Sequence, residues 1–225
     1  LSDGSRIDQF RRASQINNEQ VSTTYSISDL KSGEMIKDLQ EKYPGEKFNS
    51  VFLIDDFTAS GKSYFRGNEK KGKIYKFLRD LFESKKLDEL IDKTSLDIHV
   101  LFYIATTYSI NKIETAITEW QSEHSFKFAL SIDAVQILDE TVKESVLEDQ
   151  AFVSLCEKYF DATDETIVDR HYKVGNHTKP YLGFDECALP LVLNHNTPNN
   201  SLPMLWLPDD KKFRGLFPRV TRHKE

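Results

Sequence analysis

Apolar positions along this chain recur with two periods, and stretches of the two kinds alternate. Ile74, Phe77, Leu78, Leu81 and Phe82 fall on one face of a helical wheel, the stripe of an amphipathic helix. The same period predicts a helix over about 5–14 (Ile7, Phe10 and Ala13 behind a Ser5/Asp8 capping box) and one from Ser28 whose stripe is Met35, Ile36, Leu39 and Tyr43. Pro44-Gly45 ends the latter. Two more helices are expected around Ile110, Ile113, Ile117 and Trp120, and around Phe152, Leu155, Cys156 and Tyr159. Between them stand short runs rich in β-branched and aromatic residues: Val21–Ile27, Phe48–Ile54, Asp97–Thr106, Phe126–Ile132 and Ala188–Asn194. Their apolar continuity, clearest in Val51–Ile54, is that of strands buried on both faces. Strands alternating with helices predict an α/β fold: a mostly parallel sheet flanked by helices, with ligands beyond the carboxyl ends of the strands.

Composition narrows this without changing it. The chain has 225 residues, 39% of them apolar and 29% charged, an ordinary balance for one α/β core with an appended region. One domain is expected over 1–225, with 160–225 as a C-terminal elaboration packed on the same core. No apolar run approaches the roughly 18–20 residues of a spanning helix, so no membrane association is expected. A net charge of −6 gives no bulk attraction to a nucleic-acid backbone, although the basic clusters Lys70–Lys73 and Lys211–Arg214 remain. Two cysteines, Cys156 and Cys187, lack zinc-ligand spacing and fit a reducing, cytoplasmic location. The chain opens on Leu1 and enters Ser2-Asp3-Gly4-Ser5 as though a strand had just ended, so a preceding first strand is expected.

The stretch VFLIDDFTASGKSY, Val51 to Tyr64, carries the most chemistry. Gly61-Lys62-Ser63 matches the last three positions of a Walker A phosphate loop. The first glycine of that pattern is here Asp56, however, a carboxylate where backbone would have to wrap closely around phosphate. A second reading begins from the strand. Four apolar residues lead into the acid pair Asp55-Asp56, then into the small, hydroxyl-rich loop Thr58-Ala59-Ser60-Gly61-Lys62-Ser63, then toward a helix.

That order resembles the 5-phosphoribosyl 1-pyrophosphate (PRPP) motif of the type I phosphoribosyltransferases. The resemblance implies that Asp55 and Asp56 accept hydrogen bonds from vicinal ribose hydroxyls. The backbone N–H groups of Thr58–Ser63 would converge on a 5′-phosphate, with hydroxyls from Thr58, Ser60 and Ser63 adding to them. The N-terminus of a following helix would contribute roughly 0.3–1 kcal/mol more toward the anion. Lys62 would stabilise the leaving diphosphate, and Mg²⁺ would enter with the substrate, touching Asp55 and Asp56. Ser2, Asp3, Gly4 and Ser5 stand where that fold carries its pyrophosphate loop, though a plain helix N-cap reads the same way.

Ala59 departs from the purine-salvage members, which hold an aspartate there, so their base chemistry does not carry over. With SDGSRIDQFRR near the start and HNTPNNSLPMLW near the end, the chain is similar to the phosphoribosyltransferase-like effectors of bacterial conflict systems. Some of these are encoded beside retron reverse transcriptases, others beside signalling ATPases. The resemblance implies a role in anti-phage defence, a PRPP or nucleotide ligand, and a protein partner from the same operon. In the tail, His195, Asn196 and Asn199 offer amide and imidazole groups to a base edge or partner, and Trp206 a stacking face. Two functions stay open: an enzyme that transfers or removes a ribose-phosphate group, and a non-catalytic ligand-binding module that regulates a partner.

Overall fold

The apolar run at Val51–Ile54 forms the middle of strand β1 (Ser50–Thr58), which continues through both aspartates. It pairs in parallel with β2 (Asp97–Thr106), Val51 opposite Ile98 and Thr58 opposite Ala105. Strand β3 (Ala129–Leu138) lies on the other side of β2, giving a three-stranded parallel sheet of order β1-β2-β3. The computed structural model describes residues 7–14, 16–83, 87–160, 172–175, 178–208 and 214–218. They belong to two units, Leu1–Ile137 and Leu138–Glu225. The expected pyrophosphate loop, Ser2–Ser5, lies outside the described residues.

In the first unit, α1 (Ile7–Ser14) and α2 (Asp29–Lys42) precede β1, α3 (Lys73–Glu83) connects β1 to β2, and α4 (Thr107–His124) connects β2 to β3. The helical stripes end where the sequence places them. Ile74, Phe77, Leu78 and Leu81 of α3 and Ile113, Ile117 and Trp120 of α4 are buried against Leu53, Ile98, Val100 and Phe102 of the sheet. Met35 and Leu39 of α2 join the same core.

Three expectations need correction. Val21–Ile27 is not a strand. The hydroxyl of Ser22 donates to the Thr24 carbonyl and that of Thr24 to the Ser26 carbonyl, so local bonds occupy the backbone that a ladder would have used. Tyr25 and Ile27 still pack on the core beside β1, bordering an apolar cavity of about 380 Å³ lined also by Phe10, Val51 and Leu53. Second, β3 begins at Ala129 rather than Phe126, because Phe126 and Phe128 are stacked on Phe82 at 4.5 and 5.3 Å between ring centres.

The third correction lies in the second unit. Ala188–Asn194 contributes only single bridges, Leu189 to Ser201 and Leu193 to Asn196. Ala188 has a left-handed backbone (φ 51°), and Pro190 has no N–H to give a ladder. This unit is built instead from α5 (Glu140–Glu148, capped by Asp139), α6 (Gln150–Tyr159, capped by Asp149), 3₁₀ turns and the short α7 (Pro203–Trp206). Val146, Cys156, Leu182, Ala188 and Leu202 form one core cluster here, and Tyr172, Trp206 and Leu207 another. Among the described residues, no helix is long and apolar enough to cross a membrane.

Candidate ribose-phosphate site

Because β1 runs unbroken through Thr58, its adjacent aspartates project to opposite faces of the sheet. Their surroundings differ accordingly. Asp55 is wholly buried, 0% exposed, and its charge is met by Lys73 on the first turn of α3, with Nζ 2.6 Å from Oδ2. The Tyr25 hydroxyl donates to the same oxygen at 3.2 Å, and Oδ1 accepts the backbone N–H of Asp56 at 3.1 Å. The Lys73 ammonium rests 5.0 Å from the centre of the Tyr64 ring and 5.7 Å from that of Tyr25. Burial first, then the negative charge of Asp55, pushes the hydroxyls of Tyr25 and Tyr64 well above the ordinary tyrosine range. Both therefore stay protonated donors, Tyr64 to the Phe57 carbonyl at 2.8 Å. Asp56 is half-buried and is the more exposed acid of the pair.

The first half of the loop after β1 is held from α4 and its cap, and its last residue, Ser63, from α3. The Thr106 hydroxyl, which caps α4, donates to the Ala59 carbonyl at 2.7 Å, and the Ser109 hydroxyl approaches the Thr58 carbonyl at 3.3 Å. Gly61 has φ +71°, and a Cβ there would sit 3.1 Å from Ile113. Thr58, Ala59, Ser60 and Gly61 are buried by this packing, while Lys62 is half-buried and Ser63 exposed. The Lys62 N–H turns back to Ser60 Oγ at 3.4 Å. The expectation of a helix N-terminus aimed at the phosphate is not met by α3. Its first N–H groups are taken up by the chain itself, Lys73 bonding the Ser63 carbonyl at 3.0 Å and Ile74 the Tyr64 carbonyl at 2.9 Å.

The tail residues belong to the second unit. His195 and Asn196 are exposed on a tight hairpin in which Leu193 and Asn196 exchange backbone bonds at 2.9 and 3.2 Å. The Asn199 carbonyl accepts from the Phe184 N–H at 2.7 Å. Trp206 is 4% exposed, with Nε1 bonded to the Ser201 carbonyl at 3.1 Å and its ring beside Tyr172, so it packs the core and presents no stacking face.

A half-buried carboxylate, a small-residue loop at the carboxyl end of a parallel strand and a partly exposed ammonium against the buried acid make up the candidate site. The family model PRTase-CE matches residues 4–219. The chain belongs to the PRTase-CE family. Its phosphoribosyltransferase-like character, expected from the acid pair and loop, is that of the family. No curated protein and no solved structure matches the chain.

Lys73, Tyr25, Tyr64, Thr106 and Ser109 join this site without having been singled out in the sequence. Lys73 is separated from Asp55 by 18 positions, and its only sequence signal was membership of a basic cluster. Among the described residues no three His, Cys, Asp or Glu side chains converge, and Asp55 already holds an ammonium. Asp56 is the carboxylate of the pair that would hold a magnesium ion bound with a substrate diphosphate.

Proposed function

We propose that this chain binds PRPP or a nucleotide through the Asp55–Ser63 segment and transfers or removes its ribose-phosphate group, acting as an effector in bacterial anti-phage defence. The observation that carries this reading is the family membership joined to the contrast within the acid pair. One aspartate is buried on a lysine, and its neighbour, the more exposed of the two, stands on the opposite face of the strand just before a hydroxyl-rich loop. In the reaction, the bond from C1 of the ribose to the diphosphate breaks and the diphosphate leaves with the electron pair. An acceptor nitrogen, or a water oxygen, then bonds to C1 and gives up its proton to the departing diphosphate or to solvent. Asp56 would accept from the ribose hydroxyls, and Lys62 with Ser63 would meet the phosphate. Most of the acceleration would come from positioning and charge complementarity, since the described residues of the site pair no nucleophile with a base. His195 and Asn196 are the residues proposed to meet a base or a protein partner.

A second reading is supported by Ala59 and by the burial of the loop's first half, which leave few groups to act on an acceptor. In it the chain binds the same ligand and regulates a partner without turnover. Calorimetry with PRPP, paired with an assay for released pyrophosphate, separates the two. Binding with release supports the enzyme, and binding without release supports the regulator. Asp56→Asn is expected to weaken PRPP binding about tenfold or more with the fold intact. Unchanged affinity in that variant would remove Asp56 from the ribose site. ATP hydrolysis abolished by Lys62→Ala alone would return the loop to the Walker reading.

A further inference from the structure

We propose that Lys73 is a positioning residue of the ribose-phosphate site, holding Asp56 in place through Asp55. This rests on the reading of Asp55–Ser63 as a ribose-phosphate site and departs from the expectation that both acids contact ribose. Asp55 lies on the buried side of β1 and has its carboxylate filled from three directions: Lys73 Nζ and the Tyr25 hydroxyl on Oδ2, the Asp56 N–H on Oδ1. An aspartate so occupied is a strut. It grips the peptide that carries the more exposed acid, and it can do so while buried only because an ammonium neutralises it.

Lys73 is built to stay there. Its backbone N–H bonds the carbonyl of Ser63, the last residue of the candidate phosphate loop, so one residue ties loop to acid pair. The preceding Gly72 has φ +119°, and a Cβ on it would fall 2.2 Å from the Tyr64 carbonyl oxygen, so the close approach of α3 to the loop requires glycine. Two tyrosine rings flank the ammonium, and 36% of the lysine side chain remains exposed. Charge and geometry thus run from Lys73 through Asp55 to the Asp56 peptide. Losing the lysine would free the Asp55 carboxylate to turn toward water and take the orientation of Asp56 with it.

The test uses the full chain, with calorimetric titration of ribose 5-phosphate and, separately, of inorganic phosphate into wild type, Lys73→Arg, Lys73→Met and the charge-balanced double variant Asp55→Asn/Lys73→Met. Circular dichroism reports the fold of each. The wild type is expected to prefer ribose 5-phosphate over inorganic phosphate. Lys73→Met should lose that preference by about tenfold or more while its affinity for inorganic phosphate stays within about twofold, and Lys73→Arg should restore most of it. If Lys73→Met does not fold, the double variant, which buries no unpaired charge, should show the same lost preference. A folded Lys73→Met or double variant with an undiminished preference overturns the proposal. So does a parallel loss for both ligands, which would make Lys73 a direct phosphate contact. A wild type that binds no ribose 5-phosphate removes the underlying reading instead, an outcome visible before any variant is compared.

Discussion

The units Leu1–Ile137 and Leu138–Glu225 hold themselves together by different means. The first spreads its stability over a parallel ladder and the apolar stripes of α3 and α4, so no single polar atom decides its shape. The second has short helices and turns, and it fixes them with individual polar bonds. Ser201 Oγ donates to the Leu191 carbonyl at 2.6 Å, Asn200 Nδ2 to that of Phe184 at 3.1 Å, and Tyr172 Oη to that of Pro180 at 2.6 Å. Repeated burial tolerates local polar chemistry, such as a charged pair at the end of β1. A fold resting on single bonds has no such reserve, and it carries left-handed backbone at Gly183, Asp185, Glu186 and Ala188.

The contrast can be broken at its strongest point first. Ile98 is fully buried in β2, and Ile98→Ala is expected to lower unfolding free energy by about 2–5 kcal/mol in a urea titration followed by circular dichroism. A loss under about 1 kcal/mol would mean that the sheet is not where the first unit keeps its stability. In the second unit, Gly183 has φ +86°, with the Asn200 carbonyl oxygen 2.6 Å from where a Cβ would stand. Gly183→Ala should cost more than about 1 kcal/mol although it adds only a methyl group. Proteolysis confined to the 178–202 region would report it.

Smaller effects sharpen the same comparison through pH. The Glu186 carboxylate is pushed up by burial, but bonds from the N–H groups of Lys179 and Thr178 outweigh that and leave it below its ordinary 4.5. Its contribution to stability is therefore present above 4.5 and lost as pH falls through the lowered value. Glu186→Gln should be destabilised by up to about 1.5 kcal/mol at neutral pH, and the difference from wild type should vanish in acid. A gap independent of pH would refute the charge-assisted role. The least effect is expected at Cys156, whose thiol burial pushes up from 9.0 to about 11. Its neutral form favours the fold, so this contribution is intact below 9.0 and lost between 9.0 and about 11 as the unfolded thiol ionises. Unfolding free energies of wild type and Cys156→Ala, compared over that range, should converge; parallel curves would contradict it.

Legibility in the sequence followed the same division. In the first unit β1, β2, α2, α3 and α4 were all readable, because each carries its own period and buries the face that the period marks. Val21–Ile27 has a strand's composition, yet its serines and threonines bond locally, something composition does not encode. In the second unit α5 was missed, since ETVKESVLE buries only Val146 and leaves a faint stripe. Ala188–Asn194 was misread because its backbone follows flanking turns rather than its own apolar residues. At the site, the acid pair and the loop could be found by order of residue type alone. Which acid is the more exposed could not, because that depends on how far β1 extends and on a lysine 18 residues away.

The attachment of the Thr58–Gly61 loop to Thr106 and Ser109 has a practical consequence for protein engineering. A designer wishing to graft DDFTASGKS onto another parallel sheet would be moving only half of a joint. The hydroxyls that orient the loop's carbonyls reside on the neighbouring strand-to-helix corner, and the space Gly61 fills is shaped by Ile113. The transplantable module is a pair of adjacent corners, β1 to its loop and β2 to α4, carried across in register.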